Sequence, residues 1–270
     1  MHENSQELHQ LLEIIARIAA GNYSNDIMAL TTDDTPEPIK TIAEAMGLMM
    51  VKVEAREFHL EQLVSELQRL NEQIRHNTIQ TVAAMAQALE ARDTYTRGHA
   101  ERVAGIAAEI AAEMDFDAER VELVRTAGLL HDIGKIGCSD RIFQDHGPKN
   151  PPDVVKEILN HPVIGGDILS RLDFLNEVTR IIITHHERMD GKGYPYRLGA
   201  EQIPLEARII AVADGFDAMT TDRPYQRARS VEVAMGILKE DAGHHWDCDC
   251  VAAFERVLAR NGQDAGGKIV

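Results

Sequence analysis

Apolar residues recur along this chain at helical spacing, in steps of three and four. Leu8, Leu11, Ile15 and Ile18 predict an amphipathic helix over residues 5–20, stopped by Gly21-Asn22. Residues 22–38 hold Asn, Ser, Asp, Thr and two prolines and read as an extended connector. From Ile39 the pattern resumes and persists: Ile39, Ile42, Met46, Met49, Val53, Leu60, Leu63, Leu67, Leu70 and Ile74, with Arg56 at its one polar position. That is about five heptads, the length of a parallel coiled coil rather than of an ordinary globular helix. Near Arg75-His76-Asn77-Thr78 the register slips, and a new stripe runs Ile79, Val82, Ala86, Leu89.

The rest reads as successive helices over 79–92, 97–114, 118–133, 152–159, 161–171, 174–187, 206–220, 230–240 and 248–260. Gly and Pro mark the loops between 134 and 152 and between 191 and 204. No strand alternation stands out, and only a short hairpin around 193–205 has room to form. The expected fold is all-α. The Gly-rich end, Asn261 to Val270, is expected to fray.

Composition narrows the function. In 270 residues aromatics are only 4% and the formal net charge is −16. A chain this acidic is a poor general binder of nucleic acid or anionic membrane. A phosphate-bearing ligand would need metal ions or particular Arg and Lys residues. The cysteines Cys138, Cys248 and Cys250 read as reduced thiols. No run approaches 18 apolar residues and the N-terminus lacks a signal pattern, so the expectation is a cytoplasmic protein without a membrane span.

The helix–connector–helix pattern of residues 1–58, with Asp33-Asp34 before the Ile39…Met46…Met49 seam, resembles a HAMP module, the parallel four-helix relay of bacterial signalling proteins. HAMP modules usually follow a membrane span, and none is read here. Residues 59–78 then serve as a coiled-coil linker, and the rod implies a parallel homodimer.

The chemistry lies where apolar helices end. His131-Asp132 follows Leu129-Leu130, His185-His186 follows Ile181-Ile182-Ile183, and Asp214 closes Ile209 to Ala213; His99 and His161 complete the set. Each buried ionisable group costs desolvation unless the groups share a partner, and a metal cluster is the economical one. Adjacent residues on a helix point about 100° apart, so the two dyads suit two neighbouring ions better than one. The nitrogen and oxygen donors without thiolate favour iron or manganese, with zinc as an alternative. Two ions roughly 3.5–4 Å apart are a recurrent device for phosphoester hydrolysis. Asp132, with two oxygens, is the natural bridge. Lys135 follows Asp132 by three residues and His131 by four, which on a helix sets a cation beside that site.

The order His99, His131-Asp132, Asp214 resembles the HD phosphohydrolase superfamily. His185-His186-Glu187-Arg188-Met189-Asp190-Gly191-Lys192-Gly193-Tyr194-Pro195 is similar to the signature of its HD-GYP subfamily, as are His161-Pro162-Val163-Ile164-Gly165 and Asp222-Arg223-Pro224-Tyr225. The likeness covers residues 79–260. It implies an all-α phosphodiesterase hydrolysing cyclic di-GMP to pGpG, sometimes on to GMP. It also implies two metals held by His99, His131, Asp132, His161, His185, His186 and Asp214. Lys135 would contact the scissile phosphate and Arg223 another phosphate oxygen. Gly193-Tyr194-Pro195 would shape the site and offer a docking surface for diguanylate cyclase (GGDEF) domains.

The sequence departs from the family at several places. Tyr95 stands where members with a third metal carry glutamate. Gln226 replaces a basic residue, and Asp145-His146-Gly147 replaces Lys-Pro-Gly. The last two changes remove positive charge near the substrate mouth. Two alternatives follow: hydrolysis of another cyclic dinucleotide such as cyclic GMP-AMP, or a non-catalytic adaptor binding cyclic di-GMP or a cyclase. His244-His245-Trp246-Asp247-Cys248-Asp249-Cys250 looks like a zinc sequence, but its spacing fits no usual finger, and its resemblance to the family's Gly-His-Phe-Asp segment implies a packing role at a helix start.

Overall fold

The computed structural model describes residues 3–21, 23, 25–90, 98–144, 150–222 and 227–264. Among them the fold is all-α, and the one β-pairing is an isolated bridge between Ala242 and Trp246. No hairpin forms over 193–205. The helices are α1 Glu3–Ala19, α2 Glu37–Glu90, α3 His99–Glu113, α4 Ala118–Leu130, α5 Pro152–Leu169, α6 Asn176–Thr184, α7 Leu205–Thr220, α8 Val231–Glu240 and α9 Cys248–Asp264. Contacts divide the chain into two compact units, Met1–Ile74 and Arg75–Val270.

In the first unit, Leu11 and Ile14 of α1, Ile27 and Leu30 of a 3-10 turn (Asn25–Leu30), and Ile39, Ala43 and Met50 of α2 are buried together. The expected seam is therefore rotated in part. Leu8, Ile42 and Met49 are exposed, while Ala43 and Met50 take inside positions. The predicted connector holds the 3-10 turn, whose Ile27 and Leu30 are apolar enough to be drawn in.

Helix α2 runs unbroken through the phase slip at Arg75–Thr78. None of those residues is a helix breaker, so the slip changes the apolar face and leaves the backbone alone. Two helices predicted over 152–159 and 161–171 are likewise one, α5, with Pro162 inside it.

The second unit is built on α3, α4, α6, α7 and α9 around Val103, Ile110, Val124, Leu130, Ile182, Ile209, Ile210 and Phe254. Small residues let α3 and α4 meet closely: a Cβ on Gly128 would lie 2.7 Å from Ala104 Cα. Asp117 caps α4 through Arg120 N (2.8 Å), and Asp247 caps α9 through Asp249 N and Cys250 N (2.8 and 3.1 Å). This packing points the ends of α4 and α6, the start of α3 and the middles of α5 and α7 at one place.

Candidate metal centre

His99 opens α3, His131 caps the end of α4 with Asp132 following, His161 lies within α5, His185 caps the end of α6 with His186 following, and Asp214 lies on α7. The seven residues predicted as ligands come together. Ring centroids are 5.1 Å apart for His99–His131, 5.2 Å for His131–His185, 5.4 Å for His161–His185 and 3.9 Å for His185–His186. Three groups each have ligand atoms within 4.8 Å of one another: His161 with His185 and His186; His99 with His131 and Asp214; His131 with Asp132 and His185.

The backbone sets the rings. His131 Nδ1 lies 2.8 Å from Gly128 O, and His185 Nδ1 lies 2.5 Å from Ile182 O. Both acceptors are last-turn carbonyls that a helix end leaves without an N–H donor. His161 finds the same situation in mid-helix: Pro162 has no N–H to offer Ile158 O, and His161 Nδ1 takes that carbonyl at 2.6 Å. A carbonyl only accepts, so each Nδ1 carries the proton and each Nε2 presents a lone pair. The Nε2 atoms of His131, His161 and His185 are buried and without a hydrogen-bond partner.

These lone pairs face carboxylate oxygens. His161 Nε2 is 3.2 Å from Asp132 Oδ1, while His131 and His99 Nε2 lie 3.5 and 3.8 Å from Asp132 Oδ2. His99 Nε2 is 3.4 Å from Asp214 Oδ1. Bare nitrogens opposed to carboxylate oxygens at these distances repel unless a cation stands between them. The residues present therefore fit divalent ions: inward imidazole nitrogens, carboxylate oxygens and no thiolate. The two oxygens of Asp132 face different subsets, one toward His161 and the other toward His99 and His131.

Lys135 sits in a 3-10 turn, Ile133–Gly137, rather than in a continued α-helix. A 3-10 turn eclipses residues three apart, so Lys135 lies over Asp132, whose Oδ2 its ammonium contacts, and not over His131. Gly134 makes the close approach to α5, where a Cβ would collide with the His161 carbonyl and lie 2.5 Å from Gly165 N.

Burial pushes His185 far below the ordinary imidazole range, aided by the neighbouring His186, and lowers His131 and His186, the last to about 3. These rings are neutral at pH 7, as ligands must be. For Asp132 burial acts upward, but the Lys135 ammonium outweighs it and holds the carboxyl well below its usual range. Asp214 is lowered against its own burial, chiefly by His99. His99 alone moves up: burial opposes its charge, but the Asp217 hydrogen bond and the charges of Asp214 and Asp132 prevail.

Tyr194 stacks on His186, with centroids 4.7 Å apart. Burial, then Asp132 and Asp214, raise its phenol, which stays neutral. Gly193 passes so close that a Cβ there would lie 2.5 Å from Arg188 N and 2.6 Å from His186 O. Beyond Tyr194 and Pro195 opens a groove of about 860 Å³ whose lining includes Lys156, Lys192 and Arg197. Arg223, Tyr95, Asp145-His146-Gly147, Gln226 and residues 265–270 lie outside the described residues.

Sequence reasoning missed three carboxylates. Asp217 Oδ2 is 2.7 Å from His99 Nδ1. Glu187 is buried and accepts from Tyr196 N (2.7 Å) and Leu198 N (3.0 Å), pinning the loop after Pro195. Glu90 accepts from Ala100 N at 2.9 Å, capping α3 beside His99. The spacing Asp214-x-x-Asp217, one turn apart on α7, was the signal available for the first. The zinc-like segment packs instead. His245 stacks on Trp246 with centroids 4.1 Å apart, Trp246 donates to Ala211 O at 3.2 Å, and Cys250 is buried while Cys248 is exposed.

Residues 83–250 match the HD domain family. The chain is 37% identical over 217 residues to the cyclic di-GMP phosphodiesterase response regulator RpfG of Xanthomonas campestris pv. campestris, covering 79% of this chain and 56% of that protein. It is 36% identical over 178 residues to the 3'3'-cGAMP-specific phosphodiesterase 3 of Vibrio cholerae, covering 66% and 38%. It is 32% identical over 277 residues to a cyclic di-GMP phosphodiesterase of Thermotoga maritima, covering 90% and 74%. For the first two relatives, the chain spans about half their length or less.

Proposed function

Because the chain belongs to the HD domain family, we propose that it is an HD-GYP-type phosphodiesterase that hydrolyses cyclic di-GMP to linear pGpG, with GMP as a further product. One observation supports this above all: the buried bare nitrogens of His131 and His161 face the oxygens of Asp132, and that of His185 lies in the same cluster. His161, His185 and His186 would hold one divalent ion and His99, His131 and Asp214 the other, with Asp132 spanning both. When bound, two ions of iron or manganese (zinc as an alternative) supply an activated water and neutralise phosphate charge. Asp132 keeps its carboxylate ionised for that task. Lys135, partly exposed beside it, offsets the charge that develops on the scissile phosphate. Arg223 would grip a second phosphate oxygen through its guanidinium fork. Gly193, Tyr194 and Pro195 wall the site, and the groove beyond them sets Lys156, Lys192 and Arg197 against Asp153 and Glu157, a small cationic excess in an otherwise acidic chain for the rest of the dinucleotide.

The division read from the sequence carries over as part of this reading: residues 1–58 a HAMP-like module, 59–78 a coiled-coil linker, 79–260 the phosphodiesterase domain and 261–270 a tail. Leu60, Leu67 and Ile74 are about 60% exposed in a single copy, which supports a parallel homodimer through this stripe. Rotation or register change in residues 39–78 would gate the site, in answer to an upstream sensor or a GGDEF protein. No described helix is long and apolar enough to cross a membrane. A cytoplasmic location suits the substrate and the free thiols.

The test is turnover by purified, manganese- or iron-loaded protein on a panel of cyclic dinucleotides, with products separated by chromatography. Cyclic di-GMP cleaved to pGpG is expected, and His185→Ala abolishes it. A second reading, hydrolysis of cyclic GMP-AMP, is favoured by the Vibrio relative together with Gln226 and Asp145. Faster turnover of cyclic GMP-AMP would select it. No turnover of any member, with tight cyclic di-GMP binding, would select an adaptor.

A further inference from the structure

We propose that Asp217, braced by Arg102, is the positioning residue that fixes the tautomer of His99 and strengthens its Nε2 as a donor. The inference rests on the reading of His99 as a metal ligand. Three histidines of the centre rest their Nδ1–H on carbonyls that a helix end or a proline has left free. His99 cannot do this. It is the first residue of α3, and a helix start presents spare N–H groups, not spare carbonyls. Its acceptor comes from another helix: Asp217 Oδ2, 2.7 Å from Nδ1, on a residue only 3% exposed.

Asp217 lies one turn after Asp214 on α7, so one face of that helix grips both sides of the ring. Asp214 Oδ1 faces Nε2 at 3.4 Å while Asp217 holds Nδ1. A buried carboxylate could do this only if kept ionised, and Arg102, one turn along α3 from His99, does so. Its Nε donates to Asp217 Oδ1 and its Nη2 to Oδ2 at 3.0 Å, with Thr221 Oγ1 3.3 Å from the same Nη2. Three N–H groups thus converge on two oxygens. An anionic acceptor on Nδ1–H makes Nε2 a stronger electron donor than a carbonyl acceptor does, and such supporting partners carry roughly 10–100-fold in metal affinity. Asparagine at 217 would offer one oxygen to three donors and no charge.

The experiment measures manganese affinity and stoichiometry by titration for wild type, His99→Ala, Asp217→Asn and Arg102→Gln. It adds imidazole nitrogen NMR of the metal-free proteins. Asp217→Asn should weaken one ion by roughly 10–100-fold and spare the other, and Arg102→Gln should weaken the same ion by less. In metal-free wild type, His99 should show an Nδ1–H proton further downfield than the other three rings, and Arg102→Gln should move that signal alone. This comparison stands even if Asp217→Asn does not fold. If His99→Ala loses an ion while Asp217→Asn binds both as wild type, the inference is wrong and the metal site stands. If His99→Ala itself keeps both ions, the reading of His99 as a ligand fails. A His99 signal indistinguishable from the carbonyl-bonded rings would also overturn the inference.

Discussion

At Pro162 a single substitution separates stability from metal binding. Pro162 costs α5 a backbone hydrogen bond, and the freed carbonyl is what orients His161. Pro162→Ala would restore the helical N–H and gain up to about 3 kcal/mol of stability. It would also compete for Ile158 O and loosen the ring. The expected outcome is a higher melting temperature for the metal-free protein together with weaker manganese binding, read by calorimetry and titration on the same sample. Gly193→Ala acts differently, because its Cβ would strike backbone atoms of residues 186–188 that cannot rotate away. A cost of roughly 1–3 kcal/mol is expected there. Turnover should fall through displacement of Tyr194 from His186, while metal content measured by elemental analysis stays at the wild-type level. His131-Asp132, His185-His186 and Asp214 were legible because each follows a local apolar run. Asp217 and Glu187 were not, since what they bond is visible only once α3 meets α7 and the loop folds back on itself.

Helices were legible from their periodicity and caps, and their ends less so. The phase slip at Arg75–Thr78 and Pro162 both look like breaks in the sequence, yet both lie inside continuous helices. At the slip the composition changes without adding a local conformation that competes with the helix, while at Pro162 the His161 ring takes the carbonyl the proline leaves free. The register of α1 and early α2 was shifted because periodicity cannot choose between faces when Leu8, Leu11, Leu12 and Ile14 are all apolar. One tie between elements has a definite pH signature. Glu113 of α3 takes Arg256 Nε at 2.7 Å and Arg260 Nη1 at 2.8 Å from α9. The Arg256 hydrogen bond leads in holding this carboxyl below the usual glutamate range, against a smaller effect of desolvation. A lowered folded-state pKa contributes stability that is present above the unfolded value and lost as pH falls through the folded one. Glu113→Gln should therefore melt earlier than wild type at pH 7, and the gap should close as pH drops below about 4.5. A gap independent of pH would assign the effect to packing.

Across the whole molecule, the charge of −16 and the long apolar stripe on α2 set the main constraints. Leu67 is 65% exposed in one copy, so Leu67→Glu is harmless to a monomer and costly to a paired rod. Light scattering should show wild type at twice the chain mass and Leu67→Glu at the chain mass, with the melting of the second unit unchanged. The packing of residues 75–270 brings five helices to one point, and that convergence, unlike the stripe, was legible only through repetition of His and Asp at helix edges. The most direct test of the phosphodiesterase reading pairs two readouts on one anaerobic preparation: metal content by elemental analysis and cyclic di-GMP products by chromatography, for wild type and Asp132→Asn. Two iron or manganese ions per wild-type chain with conversion to pGpG are expected, against a loss of metal and of product in the variant. Cyclic di-GMP hydrolysis that proceeds equally in metal-free wild type, or in Asp132→Asn, would contradict it.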